Sequence, residues 1–267
     1  MLKQRIITAL ILAPIAIGGV FFLPPVPFAV FVGTVLTVAA WEWANLAGIS
    51  GAYRYVYAGV LALLLFASYW IVPIWVLSAG AVWWLVALVL MVNYPSLSSL
   101  WSARPVRAVI GLLVFAPAFV GLVQLKLMPD SNWLILLLFL LIWGADIGAY
   151  FAGRAFGNRK LAPDVSPGKS WAGLYGGLAG ALVIAIGMIL YRGQPDLASV
   201  SGLLFLLVCG FVVQVSVLGD LVESMFKRQA GLKDSSNLLP GHGGVLDRID
   251  SLLSASPVFA LGMIALT

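Results

Sequence analysis

Apolar residues run along this chain in blocks of about 18 to 23, the length that carries an α-helix across a bilayer. The pattern predicts nine helical spans, at 6–23, 27–47, 55–72, 74–93, 107–125, 132–152, 171–191, 200–221 and 252–267, the last one short. Backbone groups in hydrocarbon must find partners within their own segment, and the period-two alternation of a membrane barrel is absent. The expected fold is an all-α, polytopic membrane helix bundle. Residues 1–130 are expected to form N-terminal helices that serve as scaffold and dimer contacts. Residues 131–267 form the catalytic region, with cytoplasmic loops at 153–170 and 226–251. The first block follows Met1-Leu2-Lys3-Gln4-Arg5 and resembles a secretory signal, but it is too long and lacks an Ala-x-Ala cleavage site, so it is expected to remain as a helix.

Composition supports this reading and excludes soluble classes. Hydrophobic residues make up 62% and charged residues 9% of the chain, and the mean hydropathy is +1.07. A lone cysteine, Cys209, excludes an internal disulfide and a cysteine metal cluster, leaving a packing role. With the N-terminus in the cytoplasm, thirteen of the fifteen Lys and Arg residues fall on the inside and only Lys126 and Arg192 outside, as the positive-inside rule requires. The net charge of +5 is therefore a topology signal first and an attraction to anionic lipid second; nothing points to nucleic acid.

The acids are distributed differently. Seven of ten lie in two stretches: Asp146 and Asp164, then Asp220, Glu223, Asp234, Asp247 and Asp250. Asp146 and Asp220 precede the basic exits of their spans by similar distances, so they sit at similar depth. Ionisable groups at such depth are costly and face a cavity, a partner charge or a metal. On a helix, Asp220, Glu223 and Ser224 share a face, and Lys227 joins it one turn later. Asp247 and Asp250 repeat the spacing around Arg248, where Gly243 and Gly244 allow a tight turn into the last helix. Carboxylate oxygens without neighbouring His or Cys suit Mg²⁺ before Zn²⁺. Beside many Lys and Arg residues, they are equipment for a polyphosphate, and phosphoryl or nucleotidyl transfer depends mainly on positioning and neutralising charge.

The upstream stretch "WGADIGAYFAGRAFGNRKLAPDVSPGKSWAG" adds Arg154, Arg159, Lys160 and Lys169, with Gly153, Gly157 and Gly168 placed for close backbone approach to an anion. Its Gly168-Lys169-Ser170 triplet is not a P-loop: Pro163 stands where the leading glycine belongs, and no strand is expected before it. Gly173, Gly176, Gly177 and Gly180 predict close helix contact on the seventh span. The ten tryptophans, Trp83, Trp84 and Trp101 among them, suit interfacial belts and helix packing. Glu42, between Trp41 and Trp43, is an intramembrane acid to which the sequence assigns no role, a dimer or lipid contact being one place for it.

Together, Asp146-x-x-Ala149-Tyr150, Gly153-Arg154, Ser166-Pro167-Gly168-Lys169-Ser170-Trp171, Asp220-x-x-Glu223-Ser224, Lys227-Arg228, Lys233-Asp234, Pro240-Gly241-His242-Gly243-Gly244 and Asp247-Arg248-x-Asp250 resemble the signature of bacterial phosphatidate cytidylyltransferases, the CDP-diacylglycerol synthases. The resemblance implies the reaction of CTP with phosphatidate to give CDP-diacylglycerol and pyrophosphate. It also implies Mg²⁺ dependence, with K⁺ as a second cation, a homodimer among membrane lipids, and a site facing the cytoplasm from a bacterial inner membrane. The family's metal-binding carboxylates fall on Asp220 and Asp247, with Asp146, Glu223 and Asp250 as further ligands or as groups that orient cations. Lys227, Arg248 and His242 join them as catalytic candidates, His242 as a base or as a positioning group. Lys169, Ser170, Arg154, Lys160, Arg228, Lys233 and Ser224 are the expected substrate contacts.

Three other readings are weighed against this one. A cation- or proton-coupled transporter also carries acids within helices but does not need the dense cationic loops. A CDP-alcohol phosphotransferase requires an Asp-Gly-x-x-Ala-Arg pattern that the chain lacks. A cytidylyltransferase for another lipid phosphate shares every matched residue, because those residues address phosphates.

Overall fold

In the computed structural model, residues 2–193 and 195–266 are described, apart from the side chains of 2–7 and 9. Lys3 and Arg5, two of the predicted cytoplasmic cations, lie among those excepted. The elements are α1 (Leu2–Phe21), α2 (Pro25–Leu46), α3 (Tyr53–Ser68), α4 (Pro73–Val92), a 3-10 turn at Ser98–Leu100, α5 (Arg104–Leu127), α6 (Ser131–Phe156), β1 (Lys160–Ala162), β2 (Ser166–Ser170), α7 (Trp171–Arg192), α8 (Val200–Gln229) and α9 (Leu246–Leu266). Among the described residues seven helices, α2 and α4 to α9, are long and apolar enough to cross a membrane. The protein is thus an all-α polytopic membrane bundle. The first and third expected spans are shorter as apolar helices, Leu10–Phe21 and the 16-residue α3.

Helix ends follow local chemistry. Proline occupies the first turn of α2, α4 and α5, where its missing N–H costs nothing. Ser170 and Ser199 cap α7 and α8 by accepting from Gly173 N and Gly202 N, both at 3.1 Å. Two boundaries differ from expectation. Helix α8 continues to Gln229, and α9 begins at Leu246, because the charged residues at these ends ride on helix. Residues 153–156 likewise belong to α6, and the segment after it contains an antiparallel hairpin pairing Lys160 with Ser170 and Ala162 with Ser166. A strand therefore does precede residue 163, contrary to the sequence reading. It still makes no P-loop, since Lys169 and Ser170 lie in the opposing strand.

The glycines of α7 do what their spacing predicts. A Cβ at Gly177 would stand 2.8 Å from Ala145 O, and one at Gly180 3.0 Å from Gly144 O, so α6 and α7 meet backbone against backbone. Gly153 and Gly157 face the start of α7, where added Cβ atoms would press on Ser170 Oγ at 3.3 and 2.8 Å. Four tryptophans are buried in the core: Trp43, Trp83, Trp84 and Trp101. Trp70 and Trp75, by contrast, are exposed. Cys209 is buried and unbonded, as a packing residue should be.

The bundle has two chemically distinct ends. At one end Lys126 Nζ donates to Val20 O at 2.7 Å and to Asn132 Oδ1 at 2.8 Å, while Arg192 pairs with Asp130 and lies over Trp133. These are the two cations expected on the outer side. The opposite end gathers Arg54, Arg107, Lys169 and Lys227.

Candidate active site

Helix α8 carries the first half of the site. Its inner face continues apolar through Leu221, Val222, Met225 and Phe226, and Phe226 packs between Trp43 and Trp101 with ring centroids 4.8 and 4.7 Å apart. This anchor holds the last turns helical while the adjoining face turns polar. On that face Ser224 Oγ donates to Asp220 Oδ1 at 3.3 Å, and Lys227 Nζ donates to Glu223 Oε2 at 3.2 Å. Asp220 and Asp146 stand nine and ten residues from the ends of their helices, about 14 and 15 Å deep at 1.5 Å per residue.

The first turn of α9 supplies the second half. Gly231, at φ +69°, ends the turn after α8, and the chain folds back through a tight turn in which Leu239 N donates to Gly243 O at 2.8 Å. Gly243 has φ +82°, a conformation that glycine adopts without strain. A side chain at Gly244 would collide with Ser235 Oγ and press on Glu42. In the space so kept, Asp247 Oδ2 accepts from Gly244 N at 2.7 Å, Ser235 N at 3.0 Å and Ser235 Oγ at 2.9 Å. Its Oδ1 is left to Lys227 Nζ at 2.8 Å. Asp250 lies beside Glu223 and within electrostatic reach of Asp220.

The hairpin closes a third side. Lys169 Nζ reaches Asp220 Oδ2 at 2.6 Å, and Arg228 Nε ties the hairpin down by donating to Val165 O at 3.2 Å. Asp146, exposed on α6, lies within electrostatic reach of both Lys169 and Asp220. Two lysine–carboxylate pairs on α8, α9 and the hairpin thus form one cluster.

The structure brings together Asp146, Lys169, Asp220, Glu223, Ser224, Lys227, Asp247 and Asp250. Other candidates stand apart from it. Arg154 is exposed and donates to Tyr150 Oη at 3.2 Å; Lys160 and Lys233 are exposed on β1 and on the α8–α9 loop. Arg248 points back to His242 O, donating from two nitrogens at 3.0 and 2.7 Å, and His242 Nδ1 is buried without a hydrogen-bond partner. Ser170, expected as a substrate contact, is 4% exposed and its oxygen caps α7, so its hydroxyl shapes the hairpin exit.

Glu42 corrects an expectation. Far from a lipid or dimer contact, it is fully buried and accepts from Ser235 Oγ, Ser236 Oγ, Val245 N and Leu246 N at the start of α9. Its only sequence signal is that an acid stands within a span.

Among the described residues no three acidic, histidine or cysteine side chains are gathered as a ready-made metal cage. The all-oxygen donor set nevertheless fits Mg²⁺, which uses one or two carboxylates and takes its other ligands from water and substrate phosphates. Glu223, buried beside Asp250, adds a further carboxylate to the same cluster. Beside the hairpin an apolar cavity of about 990 Å³ is lined by Leu161, Val165, Phe211, Leu218 and Leu221 among others.

Comparison with known proteins gives one result throughout. The cytidylyltransferase family matches residues 3–266. A phosphatidate cytidylyltransferase of Pseudomonas aeruginosa is 56% identical over 263 residues, covering 97% of this chain and 96% of the relative. One from Haemophilus influenzae is 39% identical over 288 residues, covering 97% and 98%. One from Bacillus subtilis is 47% identical over 116 residues, covering 43% and 42%.

Proposed function

The chain belongs to the cytidylyltransferase family, and on that premise we propose that it is a membrane nucleotidyltransferase converting CTP and phosphatidate to CDP-diacylglycerol and pyrophosphate, a step of phospholipid biosynthesis. The observation that carries this reading is the convergence of Lys169–Asp220 and Lys227–Asp247 at the cationic end of the bundle. Transfer requires a phosphate oxygen of phosphatidate to attack the α-phosphorus of CTP in line. The bond from that phosphorus to the bridging oxygen breaks, and pyrophosphate leaves with the electron pair.

Asp220 and Asp247, with Glu223 and Asp250 beside them, would hold Mg²⁺, which when bound offsets phosphate charge and orients the reacting groups. The chain's own part is electrostatic preorganisation. Lys169 and Lys227 are already fixed by carboxylates, so little side-chain entropy remains to be lost when phosphates arrive and share them. Arg228, fixed to the hairpin, adds a third charge at the mouth. Phosphatidate is already anionic near neutral pH, so no base is required to start the attack; the His242 turn serves instead to place Arg248. The apolar cavity beside the hairpin gives the lipid's acyl chains a lateral place while CTP arrives from water. In this reading residues 131–267 are catalytic, the site faces the cytoplasm from an inner membrane, K⁺ is a second cation, and the protein works as a homodimer.

Purified protein given CTP, phosphatidate and Mg²⁺ is expected to release pyrophosphate, and to release none when lipid or metal is omitted or ATP replaces CTP. Release without lipid would indicate hydrolysis. No release by folded protein would return the acids to ion transport, measured as flux into liposomes.

A further inference from the structure

We propose that Glu42 is a positioning residue for Asp247, holding the catalytic loop from the other half of the chain. The inference rests on Asp247 belonging to the site. Glu42 Oε1 accepts from Ser236 Oγ at 2.5 Å and Val245 N at 3.0 Å, and Oε2 from Leu246 N at 2.6 Å and Ser235 Oγ at 3.3 Å. A carboxylate is costly to bury, and this one is 0% exposed yet meets no cation within salt-bridge distance among the described residues. What offsets its charge is the N-terminus of α9, whose first amide groups it accepts as a cap supplied by a different helix.

The cap does more than end a helix. Ser235 sits between two carboxylates: its hydroxyl lies 3.3 Å from Glu42 Oε2 and 2.9 Å from Asp247 Oδ2, and its amide donates to Asp247 at 3.0 Å. The segment that Glu42 grips is therefore the one that occupies Asp247 Oδ2, and this leaves Oδ1 aimed at Lys227. Glu42 itself is fixed from behind, because the neighbouring Trp43 donates to Arg107 O at 2.9 Å and packs at a tilt against Phe226 of α8. Helix α2 thus locks both halves of the site, α8 through an aromatic contact and α9 through a carboxylate. Without the Glu42 charge, the amide groups of Val245 and Leu246 keep only a weaker, neutral acceptor, and the turn that presents Gly244 and Ser235 to Asp247 loses its anchor.

Glu42→Gln keeps the shape but removes the charge and turns one acceptor into a donor. Outer residues that orient metal-site ligands cost about 10- to 100-fold in activity or metal affinity when altered. In the purified full-length protein the substitution is expected to lower kcat by about that factor and to raise the Mg²⁺ concentration for half-maximal rate, with KM for phosphatidate unchanged. Hydrogen exchange measured without metal or substrate is expected to quicken in the peptide spanning 235–247 and not in α2 or α8. A purely structural role predicts otherwise: loss in proportion to unfolded protein, with wild-type Mg²⁺ dependence in the remainder. That outcome, or wild-type kinetics, would overturn the proposal. If Glu42→Gln does not fold, Ser236→Ala removes one donor to Glu42 together with the acceptor of Leu238 N, so its readout is the Mg²⁺ dependence and the exchange of the Val245 and Leu246 amides, both expected to shift the same way; wild-type values there would overturn the proposal equally. An inactive wild-type protein would instead count against the proposed reaction, and exchange in 235–247 would still decide whether Glu42 grips the loop.

Discussion

Replacing Asp247 with Asn is expected to reduce turnover by on the order of 10³-fold or more, the scale seen when a preorganised charged group is lost from a water-excluded site. The residue has two distinct faces. Oδ2 is occupied by three donors from Ser235 and Gly244, and Oδ1 by the Lys227 ammonium. An asparagine satisfies one face only, since its amide nitrogen must point either at those donors or at the ammonium. Oriented to keep its oxygen on the loop, it repels Lys227, and the negative charge that a cation needs is gone. Folding should survive, because the loop keeps its acceptor and Glu42 still caps α9. Asp220→Asn is expected to behave alike, as Asp220 meets Lys169 on one oxygen and Ser224 on the other. The check is turnover alongside detergent-solubilised size. Near-normal turnover in a monodisperse variant would remove that carboxylate from the metal site.

Lys227→Met has the second-largest expected effect, and it falls on stability as well as rate. Side-chain exposures of 13% for Lys227, 4% for Glu223 and 6% for Asp247 make this a buried charge triad. Removing one member of a buried pair costs about 3–5 kcal/mol, because the partner is left uncompensated. Here two carboxylates lose the same cation, and one must take up a proton or draw in a replacement cation. Turnover is expected to fall by about 10²- to 10³-fold. Thermal unfolding should shift downward, and added Mg²⁺ should restore part of the stability but not the rate. A variant with wild-type stability and rate would show that the triad is incidental.

Much of this was legible in the sequence, for identifiable reasons. Spans are set by apolar runs, so the helices fall where hydropathy places them. The Asp220, Glu223, Ser224 and Lys227 face is visible because helical spacing is a local property, and its partner set on α9 shares that spacing. The ends were harder. The spacing of Asp247 and Asp250 places them at the start of the last helix, whereas the apolar run alone begins at 252; an acid in a first turn is favoured, and α9 starts at Leu246. The hairpin left no trace, since three residues of β1 and a strand containing Pro167 and Gly168 offer no alternation to detect. The capping role of Ser170 was not legible, because capping and substrate binding call for the same hydroxyl. Glu42 was unreadable for a different reason: its partners lie about two hundred positions away in the chain, and only packing brings α2 against α9.

The most direct test of the central claim follows the phosphorus atoms themselves. Purified protein is given phosphatidate, Mg²⁺ and CTP labelled at either the α- or the γ-phosphorus, and the lipid is then extracted. The account predicts that α-label enters the lipid mole for mole with pyrophosphate released, that γ-label stays in the aqueous phase, and that Asp247→Asn neither labels the lipid nor releases pyrophosphate. Appearance of γ-label in the lipid, or absence of lipid label from a folded and monodisperse protein, would contradict it.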